Sequence, residues 1–139
     1  YKTVIHSTMS KADAFAYMAD MSNFDDWDPG IESSTQVVGS GPGLGAEYDV
    51  KLTAMTLRYK TTEYSAPDSL KLVARSTFIN SFDTIEVTGT PSGCDVSYDA
   101  IVELNGPLRL TDPVFGLIFK RIGDRAAVGM AKALNGTTV

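Results

Sequence analysis

The chain has 139 residues, 43% of them hydrophobic, a formal net charge of −5 and one cysteine, Cys94. This is enough for one core, so a single domain over 1–139 is expected, and scattered Lys and Arg with only Lys120–Arg121 adjacent exclude nucleic acid as a partner. The lone cysteine excludes an internal disulfide and fits a reducing, cytoplasmic setting; no apolar run is long enough for stable membrane insertion, and no signal peptide is visible.

The predicted elements begin with a β-branched strand, Lys2–Thr8. Ser10 and Asp13 then have the spacing of a helix N-cap with an acidic partner in the first turn. Phe15, Met18 and Ala19 recur at helical spacing, flanked by Ala14 and Tyr17. Asn23–Gly30 is dense in Asp, Asn, Pro and Gly, yet holds Phe24 and Trp27, and reads as an acidic loop anchored by an aromatic.

Strand signals follow for about seventy residues. Ser33–Val38 ends at the glycine segment Gly39–Gly45, which reads as a flexible hairpin loop. Ala46–Thr53 places Ala46, Tyr48, Val50 and Leu52 on one face, and Leu57–Tyr64 places Leu57, Tyr59 and Thr61 on one face. The turn Ala66–Ser69 precedes Leu70–Thr77 and Phe78–Thr88, and the turn Thr90–Gly93 precedes Asp95–Leu104 with Val96, Tyr98, Ala100, Val102 and Leu104 on one face. Links this short favour antiparallel hairpins.

A long helix closes the chain. Asp112 is its N-cap candidate, Pro113 suits its first position, and it stops near Asn135-Gly136. Phe115, Phe119, Ile122, Ala126, Gly129 and Ala133 form a stripe. Gly116, Gly123 and Gly129 lie inside the helix, where each costs roughly 0.8–1 kcal/mol relative to Ala. Either close approach of another backbone or space for a guest must offset that cost.

An antiparallel sheet with one buried face on a long helix is an α+β architecture. The β–α–α start with Trp-Asp-Pro-Gly (Trp27–Gly30) resembles the polyketide cyclase/dehydrase and lipid-transport family of the START-like (Bet v 1-like, SRPBCC) superfamily. Val38–Gly45, Glu63–Pro67, Asp83–Val87, Asn105–Leu108 and Gly123–Ala127 fit the same family in order, over nearly the whole chain. The resemblance implies a helix-grip fold: a curved seven-stranded antiparallel sheet wrapped around the long C-terminal helix, two short helices after strand one, and an apolar cavity between sheet and helix. It implies no single reaction, because its members include carriers and cyclases.

Motifs for nucleophilic, metal or phosphate chemistry are absent: there is no G-x-S-x-G, H-E-x-x-H, C-x-x-C or G-x-x-x-x-G-K. No metal and no cofactor is expected. His6 is the single histidine and reads as a satisfied or solvent-facing strand residue; Cys94 reads as an ordinary strand-start residue. Asp25, Asp26 and Asp28 lack the spacing of a calcium loop and read as solvated turn and capping residues.

Two carboxylates break the apolar pattern and are the candidate catalytic groups. Asp83 shares strand parity with Ile79, Ile85 and Val87, while Glu63 shares parity with Leu57, Tyr59 and Thr61. The opposite face of that sixth strand, Phe78, Asn80, Phe82 and Thr84, remains an alternative, since a bulge switches parity. The candidate ligand-binding residues are Trp27, as plug or cavity gate, Tyr48, Tyr59, Asp83 and Tyr98 from the strands, and Phe115, Phe119 and Ile122 from the helix. Three functions are compatible with this set. The first is binding of a small apolar or aromatic molecule of lipid, polyketide or isoprenoid type. The second is a polyketide cyclase- or dehydratase-like enzyme, with Asp83 or Glu63 as base and a Tyr stabilising an enol. The third is a protein interaction module using the groove.

Overall fold

The structure is a computed structural model that describes residues 1–106 and 112–139, with side chains of the last helix described from Phe115. The side chains of Asp112 and Pro113, and with them the capping roles expected there, are not among those described, and the Pro107-Leu108 step lies outside the described residues.

β1 (Lys2–Ser7) leads into α1 (Lys11–Ala19), a 3-10 turn (Met21–Asn23) and α2 (Phe24–Trp27). Strands β2 (Ile31–Val38), β3 (Glu47–Leu52), β4 (Thr56–Ser65), β5 (Ser69–Arg75), β6 (Ile79–Thr90) and β7 (Gly93–Leu104) follow. The long α3 (Asp112–Ala133) and a short β8 (Gly136–Thr138) end the chain. All strand pairs are antiparallel, in the order β2-β3-β4-β5-β6-β7-β1-β8. The sheet therefore has eight described strands where seven were expected; the eighth forms after the helix, as residues 136–138 pair with Ile5–Ser7 of β1.

Local chemistry explains the elements. The Ser10 side chain accepts from the Asp13 N–H at 3.1 Å and starts α1, which buries Ala14, Phe15, Met18 and Ala19. Trp27, expected in a loop, closes the one-turn helix α2, and the Asp28 N–H bonds the Phe24 carbonyl. α3 stops where Asn135 adopts φ 51°, a left-handed conformation that ends helices. The Ser7 hydroxyl then ties the helix end to β1 by donating to the Leu134 carbonyl at 2.5 Å.

The core lies between the sheet and the helices. Its inward faces are those read from alternation: Tyr48 and Val50, Leu57 and Tyr59, Ile85 and Val87, and Val96, Tyr98 and Ala100 are all buried, and Cys94 joins them. Register shifts in β2 and between Thr61 and Glu63 in β4 interrupt the ladders, as bulges that bend strands do. Among the described residues, no helix is long and apolar enough to cross a membrane.

Candidate functional site

One cavity of about 170 Å³ opens between the first half of α3 and the ends of β3, β4, β6 and β7. Phe115, Phe119 and Ile122 line it from the helix, Phe24 and Asp28 from the α2 region, and Tyr59, Ser81, Asp83, Tyr98 and Ala100 from the sheet. Ile79, Val102, Phe115 and Phe119 are half-buried and Ile122 is exposed, so they form the rim, while Asp83, Tyr98 and Tyr59 lie at the buried base. A smaller space of about 50 Å³, under Tyr1 and Gly123, shares Asp28, Tyr98, Ala100, Phe119 and Ile122 with it.

The base carries a polar cluster in an apolar surround. Asp83 is 2% exposed. One of its oxygens accepts from the Ser81 hydroxyl at 2.8 Å and the other accepts from the Tyr98 hydroxyl. Burial pushes the Asp83 carboxyl up to about 6, against the lowering effect of these two donors; the nearby charges of Asp28 and Asp99 add to the rise. Burial, and next the charge of Asp83, push both the Tyr98 and Tyr59 hydroxyls well above their ordinary value.

Asp28 is the residue that the sequence reading placed wrongly, as a solvated turn acid. It is 8% exposed and reaches both cavities. Its Oδ1 accepts from the Gly30 N–H at 2.8 Å, and burial raises its carboxyl despite that bond. The sequence marks only the turn, through Asp28 before Pro29-Gly30, where an Asp side chain bonds the backbone two residues on.

The structure thus brings Tyr59, Asp83, Tyr98, Phe115, Phe119 and Ile122 around one space. It places the other three expected residues elsewhere. Glu63 is exposed and pairs with Lys71 at 3.2 Å, because the β4 irregularity after Thr61 reverses the parity that would have turned it inward. Tyr48 is fully buried in the core away from the cavity lining. Trp27 is 1% exposed and acts as a plug: its carbonyl lies against Gly129, and it meets the site through the Phe24 ring at 4.7 Å and the Tyr98 ring at 5.3 Å.

His6 is satisfied on the outside of the sheet. Its Nδ1 lies 2.8 Å from Asp95 and its Nε2 3.0 Å from the Ser92 hydroxyl. That group sits at the turn end of the β6–β7 hairpin, opposite the end that carries the rim residues Ile79 and Val102. Burial pushes the Cys94 thiol up, which disfavours the nucleophilic thiolate.

Comparison with protein families matches residues 1–135 to polyketide cyclase / dehydrase and lipid transport. The chain belongs to this family. No curated protein matches it. Solved structures share the fold at low identity. A hypothetical protein of Helicobacter pylori superposes with a TM-score of 0.73 at 6% identity, covering 96% of this chain and 85% of the other. Ara h 8.0201 gives 0.65 at 14% identity, covering 97% of each chain. The di-domain ARO/CYC StfQ from the steffimycin biosynthetic pathway gives 0.70 at 13% identity over 96% of this chain, which spans 49% of that longer one. At these identities the likeness speaks for the helix-grip fold alone.

Proposed function

We propose that this family member binds a small, mainly apolar or aromatic molecule of lipid, polyketide or isoprenoid type in the cavity between α3 and the sheet. The supporting observation is a cavity walled by Phe24, Leu57, Phe115, Phe119 and Ile122 with one polar cluster, Ser81–Asp83–Tyr98, at its base. Apolar walls supply affinity through burial, and few polar groups fix orientation. The test is native mass spectrometry of freshly purified protein, followed by titration with an apolar fluorescent probe. One equivalent of probe, displaced by the co-purified molecule, is expected; a protein that takes up no probe after extraction sinks the reading.

A second reading, a cyclase- or dehydratase-like enzyme, is favoured by one observation. Asp83, lifted to about 6 by burial, sits near the value of an efficient general base at neutral pH. It would accept the proton from an activated carbon of a polyketide-like substrate, and the Tyr59 hydroxyl would donate to the developing enolate oxygen. Proton–deuterium exchange at the acidic carbon of a β-dicarbonyl probe tests this. Exchange must fall in Asp83→Asn with probe binding kept; equal exchange in both proteins rejects the reading.

A further inference from the structure

The two cavity carboxylates narrow the ligand class, on the basis that the cavity is a ligand site. None of the residues described as lining it is Lys, Arg or His. Asp83 and Asp28 are each more than nine-tenths buried, and neither forms an ion pair among the described residues. Asp83 takes one donor on each oxygen, and Asp28 takes the Gly30 N–H on Oδ1 alone. A carboxylate has about four acceptor sites, so both groups, which line the cavity, keep acceptor capacity. Charge buried without an opposite charge is costly, and the described residues supply none here.

We propose that the cavity takes a cationic amphiphile: a primary or secondary amine whose ammonium group meets Asp83 and Asp28 and whose apolar part runs along Phe119 towards the rim at Phe115 and Ile79. An ammonium supplies the missing charge together with N–H donors, whereas an alcohol supplies one donor and no charge. A carboxylate ligand is repelled by both groups. Phe24, Tyr59, Tyr98 and Phe119 are on the same lining, and aromatic rings attract a cation. Size agrees: a dry cavity of about 150 Å³ accepts benzene, so about 170 Å³ with an open rim accepts one ring and a short chain.

The test uses three probes of equal length: 4-phenylbutylamine, 4-phenylbutan-1-ol and 4-phenylbutyrate, titrated by calorimetry at pH 7.5. The amine is expected to bind at least tenfold more tightly than the alcohol, with the carboxylate weakest. Asp83→Asn and Asp28→Asn should each weaken the amine about tenfold and the alcohol less than threefold, so that retained alcohol binding also certifies the folded site. An alcohol that binds as well as the amine, or Asn variants that leave the amine unchanged, overturns the cation assignment and leaves the apolar cavity standing. Failure of all three probes overturns the assignment too, and if the fluorescent probe is also excluded, the cavity reading falls with it.

Discussion

From Ala126 to Leu134 the end of the last helix is packed as a core element, whereas from Phe115 to Ile122 the same helix stands off the sheet. In the second half Ala126, Ala127, Met130 and Leu134 are buried, and Gly129 lies so close to α2 that an added Cβ would sit 1.8 Å from the Trp27 carbonyl oxygen. In the first half Leu117, Ile118 and Ile122 are exposed, Phe115 and Phe119 are half-buried and stacked on each other at 5.8 Å, and a Cβ on Gly116 would meet nothing within 4 Å. One half anchors the helix and the other leaves room beneath it. Gly129 permits the close approach at one end, and the stacked Phe115 and Phe119 line the cavity at the other.

The sharpest way to break this contrast is Gly129→Ala. Its methyl collides with backbone that cannot rotate away, so either α2 or α3 must move. A loss of about 3 kcal/mol is expected, at the upper end of ordinary overpacking. Urea unfolding measures it, and the fluorescence of Trp27, the single tryptophan, reports the displaced contact. An unchanged midpoint would mean that the anchored half is no tighter than the open half.

The next effect belongs to the base of the cavity. Asp83 has a folded value of about 6 against an ordinary 3.8. Its contribution is therefore fully present below about pH 4, declines as pH rises towards 6, and is gone above that. The loss is on the order of 3 kcal/mol, at 1.36 kcal/mol per unit. Asp49 beside Arg58, and Asp124 held by the Tyr1 hydroxyl and Lys120, are shifted the other way, so their contributions are lost as pH falls through values below 4. Asp28, raised in the same direction by burial, adds a decline of its own, so the Asp83 share between pH 4 and 7 is what remains when the unfolding energies of Asp83→Asn are subtracted from those of the parent. Parallel curves would place the Asp83 charge in water.

Phe119→Ala should cost less, about 1–2 kcal/mol, because a half-buried ring loses only part of the 3–5 kcal/mol typical of a buried Phe. It should also enlarge the cavity and strengthen uptake of an apolar fluorescent probe. A stability loss with unchanged uptake would make Phe119 a core residue rather than a wall.

The anchored half was more legible in the sequence than the open one. The Ser10 cap and the inward faces of β3, β6 and β7 follow from period and capping chemistry, and the structure shows them, whereas of the expected helix stripe Ala126 is buried and Ile122 is exposed. Asp83 was placed inward by parity alone, since β6 runs without interruption from Ile79 to Thr90. Glu63 was misplaced by the same reasoning, because the one-residue irregularity in β4 leaves no trace in alternation. Asp28 was missed because a carboxylate beside Pro and Gly has the composition of a surface turn. Its burial depends on α2 packing against α3, a long-range contact that spacing does not encode. β8 escaped for a related reason: three residues after a helix show no pattern until β1 offers an edge.

The smallest effect is expected at Gly116. The sequence left three helix glycines balanced between close packing and open space, and the structure divides them. Gly129 meets the Trp27 backbone, Gly123 carries the Tyr1 ring with an added Cβ only 2.5 Å from it, and Gly116 alone faces open space. Gly116→Ala should therefore gain the intrinsic helix preference without a collision, about 0.8–1 kcal/mol at most. Because the open half is the less tightly packed, the gain should appear first as slower amide hydrogen exchange between Phe115 and Ile122, ahead of any change in the unfolding midpoint. Protection that rises equally over Ala126–Leu134 would show that the helix responds as one rigid unit, and the division into an anchored and an open half would fail.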